Sequence, residues 1–172
     1  MLLMLPDAAD RHGETEVKLT RYTDYALRVL MHLAAKPDRL SSIGEIARSY
    51  GISQNHLMKV VHDLRKEGYV AAVRGRSGGI RLGRPAGEIV VGQVVRHTEE
   101  GFDLVDCGSC LIARACGLTG VLGEATAAFL AVLDRHTLAD LVQDRGEALR
   151  ALFMPRPVAP AEDSAALTNN PL

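Results

Sequence analysis

Three cysteines lie within ten residues, in the run Cys107-Gly-Ser-Cys110-Leu-Ile-Ala-Arg-Ala-Cys116. That is a density of metal ligands rather than of packing residues. Thiolates bind both zinc and iron–sulfur clusters, and both usually take four ligands. Three cysteines therefore leave one position for another residue. The same thiols also read as buried structural groups, or as a redox pair between Cys107 and Cys110. His97 is the histidine nearest the run. His32, His62 and His136 fall in helical stretches and read as surface or packing residues. Asp103 and Asp106 flank the run. No Ser/His/Asp set and no paired carboxylates can be argued, so nothing points to an enzyme.

The elements around this run must place it. Periodicity begins at Lys18. Thr20 or Thr23 caps a first helix, Asp24 suits its first turn, and Tyr22, Ala26, Val29, Leu30 and Leu33 recur at helical spacing. Pro37 ends that helix. A short helix is expected over 43–50, followed by Gly51. Ser53 then caps a second helix, with His56 where a capping box usually has Glu, and Leu57, Val60, Val61 and Leu64 form its apolar stripe. Two such helices joined by a glycine turn read as helix-turn-helix. Residues 69–74 and 80–82 alternate around a Gly-rich basic turn and form a hairpin, which is a wing. A short helix over 89–99, an irregular cysteine segment over 100–117 and a long amphipathic stretch over 118–141 follow. On that stretch Val121, Leu122, Ala125, Ala128, Phe129, Val132 and Leu133 are expected on one side.

The fold class expected is mainly α: a winged helix-turn-helix with a small two-stranded β wing and a long C-terminal dimerisation helix. The expected units are an N-terminal extension (1–17), a DNA-binding region (18–86), a cluster-binding loop and dimerisation helix (87–142), and a flexible tail (143–172).

Charge carries the next inference. The 172 residues have a net charge of −1, which argues superficially against a nucleic-acid partner. The charge is not evenly spread. Residues 18–86 carry 13 basic and 5 acidic side chains, whereas residues 87–172 carry 6 basic and 12 acidic ones. The basic block coincides with the helix-turn-helix, which marks it as the nucleic-acid-binding segment. Ser53, Gln54, Asn55, His56 and Lys59 open the recognition helix, where base edges are met in the major groove. Arg74, Arg76 and Ser77 stand at the wing, with Arg81 and Arg84 further along it, suited to phosphate or the minor groove. The turn lacks the Gly-Lys-Ser/Thr of a phosphate loop. No apolar run is long enough to span a bilayer, the N-terminus lacks the basic start of a signal peptide, and the expected location is cytoplasmic.

These residues carry a resemblance. Leu19-Thr-Arg-Tyr-Thr-Asp-Tyr-Ala-Leu-Arg28, Ile43-Gly-Glu-Ile-Ala47, Gly51-Ile-Ser-Gln-Asn-His-Leu-Met-Lys-Val-Val61, Val73-Arg-Gly-Arg-Ser-Gly-Gly-Ile-Arg-Leu82 and Thr137-Leu-Ala-Asp-Leu141 resemble the IscR/NsrR family of winged-helix iron–sulfur regulators, over about residues 18–142. Asn55-His56-Leu57, the wing and Thr23-Asp24-Tyr25 look most like its nitric-oxide-sensing, NsrR-type members. The resemblance implies a homodimeric repressor on a palindromic promoter operator, holding a 2Fe–2S or 4Fe–4S cluster on Cys107, Cys110 and Cys116. Nitric oxide would be the signal, and DNA would be released when the cluster is nitrosylated or lost. IscR-like members place a histidine three residues after the third cysteine; Thr119 stands there. NsrR-like members implicate an aspartate on the partner's first helix. Asp24 matches it and is preferred to His97. Only Gly108-Ser109 separate the first two cysteines, where NsrR-like chains usually have four or more residues. Zinc and a two-iron cluster therefore stay open. Residues 1–16 read as an extension or a misplaced start, with Val17 near the expected initiation point. The alternatives are an IscR-like regulator of cluster or iron status, and a zinc or thiol-redox regulator.

Overall fold

The computed structural model describes residues 18–143 and 146–153. Helix α1 (Arg21–Ala34) starts at Thr20, whose hydroxyl accepts from the Thr23 backbone N–H at 3.2 Å. Thr23 itself is buried, so the cap falls to the first of the two threonines. Helix α2 (Ile43–Tyr50) is capped by the Ser42 hydroxyl, which accepts from Glu45 N at 3.0 Å. Gly51 closes α2 at φ 63°, a left-handed backbone that costs a side-chain-bearing residue energy. The chain turns there into α3 (Gln54–Lys66).

The expected Ser53 side-chain cap is not made. Ser53 occupies the N-cap position, but its hydroxyl accepts nothing from the first turn. The turn is closed through the backbone, Leu57 N to Ser53 O at 3.1 Å, and by burial of Leu57, Val60, Val61 and Leu64. The Ser53 side chain is thus left exposed.

Strands β1 (Val70–Val73) and β2 (Gly79–Leu82) pair antiparallel, Val70 opposite Leu82 and Val73 opposite Gly79. Ser41, just before α2, bridges to Ile80 through two backbone bonds of 2.8 and 3.1 Å. The wing is therefore fastened to the helix-turn-helix by its second strand.

A 3-10 turn (Ala86–Glu88) leads to α4 (Val91–Thr98), and α5 runs Leu118–Asp134. The long stretch expected over 118–141 breaks at Arg135–Thr137. The Thr137 hydroxyl accepts from Asp140 N at 3.3 Å, while the Asp140 carboxylate accepts from Thr137 N at 2.7 Å. That reciprocal cap begins a new helix, α6 (Leu138–Gln143). Helix α7 (Gly146–Phe153) lies in the stretch read as a tail; the Pro-rich remainder lies outside the described residues.

One core holds these pieces. Leu30 and Leu33 of α1, Ile46 of α2, Leu57 and Leu64 of α3, and Ile80 of β2 are buried together with Ile89 and Leu138. The last two come from beyond the basic block. Leu138 N donates to Ile89 O at 2.8 Å and Val91 N to His136 O at 2.9 Å, which ties α6 to the entry of α4.

Buried His32 in α1 has a pKa lowered to about 4, chiefly by burial and then by the Lys36 ammonium, against a smaller opposing effect of Glu45. The folded state thus binds fewer protons than the unfolded chain between about pH 6.5 and 4. Stability from this residue is present above pH 6.5 and lost on acidification through that window. Urea titrations of the wild type and His32→Leu should show the wild type losing on the order of 2–3 kcal/mol more than the variant between pH 7 and 4.

Candidate nucleic-acid interface and cysteine segment

Helix α3 divides sharply. Leu57, Val60, Val61 and Leu64 are buried, whereas Ser53, Gln54, Asn55, His56 and Lys59 are all exposed. Four consecutive hydrogen-bonding side chains therefore stand at its N-terminal end. No acidic residue occupies its first turn, so the positive end of the helix dipole is not neutralised there. Met58, 44% exposed, lies among them and was not singled out from the sequence. Its place off the Leu57, Val60, Val61 and Leu64 stripe was the available signal. An exposed thioether there is suited to apolar contact, such as with a thymine methyl.

The wing presents Arg74, Arg76 and Ser77 at its tip, all exposed. A side chain at Gly78 would meet Val73 O at 2.4 Å, so the tip folds this tightly only with glycine there. Arg84 behaves differently. Its guanidinium carbon lies 4.2 Å from the centroid of the buried Tyr69 ring, a cation–π contact at the base of the wing. It is a structural residue, not part of the basic tip.

The cysteine segment winds through successive turns. Cys110 N donates to Cys107 O (3.3 Å), Ala113 N to Cys110 O (3.2 Å) and Cys116 N to Ala113 O (3.5 Å). The last of these belongs to a 3-10 turn, Ala113–Ala115, just ahead of α5. All three cysteines are free thiols, Cys110 exposed and the others half-buried within one chain. Cys107 Sγ lies 3.5 Å from Thr119 Oγ1 in the first turn of α5. A cavity of about 670 Å³ opens beside them, lined in part by Asp103, Asp106, Cys107, Thr119 and Leu122.

The donor set fits an iron–sulfur cluster or zinc in its chemistry: soft, accessible thiols on a segment of short turns. Among the described residues, however, no three His, Cys, Asp or Glu side chains of one chain are gathered in ion-binding geometry. Asp24 is not gathered with the thiols. It is half-exposed on α1 and accepts from Arg28 Nε at 2.8 Å. His97 is engaged elsewhere. Its Nε2 lies 2.9 Å from Asp63 Oδ2 on α3, and it is not gathered with the thiols.

That contact belongs to a node that sequence reasoning missed. The same Asp63 oxygen accepts from Tyr22 Oη at 3.1 Å. Burial, then this hydrogen bond and the charge of Asp63, push the Tyr22 pKa up to about 12, so the phenol stays a donor. Glu99 Oε1 accepts from Thr20 N at 2.8 Å and from the Thr20 hydroxyl at 3.1 Å. Arg96 forms a two-pronged pair with Asp134 at the end of α5, at 2.5 and 2.6 Å. The available signal was Asp63 itself, the one acid in a helix that carries Lys59, Arg65 and Lys66.

A sequence profile of the Rrf2 family, described as an iron-dependent transcriptional regulator, matches residues 19–144. The chain is 51% identical over 144 residues to the HTH-type transcriptional regulator NsrR of Bacillus subtilis (strain 168), covering 80% of this chain and 99% of that one. It is 47% identical over 146 residues to the protein of the same name from Geobacillus kaustophilus (strain HTA426), covering 81% and 99%. Among solved structures it resembles IscR of T. potens, with a TM-score of 0.63, 30% identity and coverage of 77% of this chain and 90% of that one. It also resembles CymR, the global cysteine regulator of B. subtilis, with a TM-score of 0.59, 27% identity and coverage of 75% and 98%. These relatives bear out the winged-helix fold. They are regulators of transcription rather than enzymes.

Lys59→Ala and Arg76→Ala should each weaken binding to duplex DNA of any sequence. Each should also lower the slope of log affinity against log salt by about one, the loss of one phosphate contact. Fluorescence anisotropy across a salt series reads both. Arg84→Ala should leave that slope unchanged and lower the melting temperature instead.

Proposed function

The chain belongs to the Rrf2 family of transcriptional regulators, and we propose that it is a homodimeric repressor that senses nitric oxide through an iron–sulfur cluster and leaves its operator when the cluster is modified or lost. The observation that carries this reading is the joining of two surfaces in one small core. A bare, basic reading helix and wing precede α4 in the chain, and three free thiols within ten residues follow it. DNA binding by the family supports the first surface, and the chemistry of the thiols supports the second.

Cys107, Cys110 and Cys116 would hold the cluster, with Asp24 of a second copy as the fourth ligand. When bound, the cluster supplies iron accessible to nitric oxide, because one ligand is a carboxylate rather than a fourth thiolate. The chain's own residues do the rest. The turns of segment 107–116 hold the thiols on one short run, and α4 connects that run to the reading helix. Exposed Ser53–His56 face base edges, while Lys59, Arg74, Arg76 and Ser77 hold the DNA backbone. Among the described residues no helix is long and apolar enough to cross a membrane. With a DNA target, the proposed place of action is the cytoplasm.

Helix α5 supports the dimer. The apolar residues expected on one side divide between two. Leu122, Leu130 and Leu133 are half-buried against the chain, whereas Leu118, Val121, Ala125, Ala128 and Val132 are exposed. The exposed set advances by alternating steps of three and four, the seam of a helix that packs on another helix. Phe129 is exposed beside it. A palindromic operator follows from two such chains related by a twofold axis.

The Cys107-Gly-Ser-Cys110 spacing favours one second reading, a zinc or two-iron site that reports thiol redox or iron status. Protein purified without oxygen should be coloured, bleach with nitric oxide and lose operator binding in step. Iron and sulfide counts then give the cluster type. Colourless protein with one zinc per chain overturns the proposal. Cys107→Ala, Cys110→Ala and Cys116→Ala should each abolish the colour and the cluster-dependent repression. Asp24→Ala should weaken the cluster while the apo chain keeps its circular dichroism; a wild-type spectrum and response would remove Asp24 from the site. Val121→Glu should convert the dimer to monomer in sedimentation, with loss of operator affinity.

A further inference from the structure

Four consecutive residues of α4 and its C-terminus, Arg96 to Glu99, reach three other elements through three side chains. Arg96 grips Asp134 of α5, at 2.5 and 2.6 Å. His97 meets Asp63 of the reading helix at 2.9 Å. Glu99 holds the backbone and hydroxyl of Thr20, the cap of the helix that carries Asp24. The His97 ring also lies 6.3 Å, centroid to centroid, from Tyr69 at the base of the wing. Tyr69 is in turn covered by Arg84. His97 therefore touches both DNA-reading elements, and its own helix is locked to the one that follows the third cysteine.

We propose that His97 is a positioning residue that transmits the state of the cysteine segment to the reading helix and the wing through Asp63 and Tyr69. This rests on the reading of that segment as the sensor.

The mechanics follow from the geometry. Segment 100–117 begins directly after Glu99 and ends at α5, which Arg96 binds. A rearrangement there acts on α4 at both attachments. Asp63 lies near the C-terminal end of α3, roughly 13 Å along the helix from Gln54 at 1.5 Å per residue. A small displacement at Asp63 is thus a tilt of the whole reading face. The contact is charge-assisted and partly shielded, with side chains 26% and 32% exposed, so it holds direction better than a fully solvated pair does. Tyr22 is a second donor to the same oxygen and ties the same carboxylate to α1.

The test uses the full chain and a duplex selected from random DNA by the loaded wild type. The ratio of DNA affinities, loaded against stripped of iron, is measured for the wild type, His97→Leu and His97→Gln. His97→Leu is expected to bring the ratio to within about threefold of one, with iron content and spectrum unchanged. His97→Gln, which retains a donor near the Nε2 position, should restore it. A wild-type ratio in His97→Leu overturns the proposal. So does loss of iron in that variant, which would make His97 part of the metal site. Should His97→Leu not fold, Asp63→Ala, which removes the group that His97 meets, gives the same reading. Amide hydrogen exchange of the stripped proteins separates this proposal from the sensor reading. Exchange over 57–66 and 69–73 should quicken about tenfold in His97→Leu, with Leu30 and Ile46 unaffected. Unchanged exchange overturns the clasp even where the wild type shows no iron-dependent ratio. A wild type without that ratio, but with quickened exchange in the variant, keeps the clasp and refutes the sensor.

Discussion

Helix α3 must be held firmly by one face and left bare on the other. The other elements of the first half serve that constraint. Leu57, Val60, Val61 and Leu64 seat it in the core, and no acid is placed in its first turn, so its positive end remains open to phosphate. Helices α1 and α2 supply the apolar bed, Gly51 sets the angle between α2 and α3, and the Ser41–Ile80 bridge places the wing beside it. A reading surface works only if it is rigid, because a mobile side chain loses entropy on each contact that it makes.

The second half of the chain satisfies the opposite condition. Helix α5 is apolar on more than one side, and none of its residues is fully buried within one chain. A helix of that kind is unfinished until another surface covers it. The charge division has the same logic. The basic block gathers at the DNA-facing unit, and the acidic excess gathers where DNA is not expected. Ile89 and Leu138 nonetheless sit in the same core as Leu30 and Leu64, so the two halves share one interior. A shared interior is what allows an event in one half to be felt in the other.

Much of this was legible in the sequence because it is periodic or punctuated. The stripe in α3, the stop at Pro37, the turn at Gly51 and the hairpin around Gly78 each leave a local mark, and all are found. What failed were features decided by competition. Ser53 has the right residue type for a cap, but packing and backbone bonds close the turn without its hydroxyl. The apolar run over 118–141 is continuous in composition, yet the Thr137/Asp140 pair offers a better helix start than continuation does. Arg84 has the same charge as Arg76, but a neighbouring buried ring claims it.

The sequence by itself determined the fold class, the helix with one bare polar face and the clustering of three thiols in one short segment. Helical spacing, glycine positions and the count of cysteines are local properties, and local properties survive in one dimension. Only the tertiary structure decided which long-range partners each polar group takes. Asp63 and His97 are 34 residues apart, Tyr22 and Asp63 are 41 apart, and Thr20 and Glu99 are 79 apart. No periodicity encodes such pairs. They form because a single core brings α1, α3 and α4 together, and a partly buried carboxylate there is stabilised by whichever donors the packing places beside it.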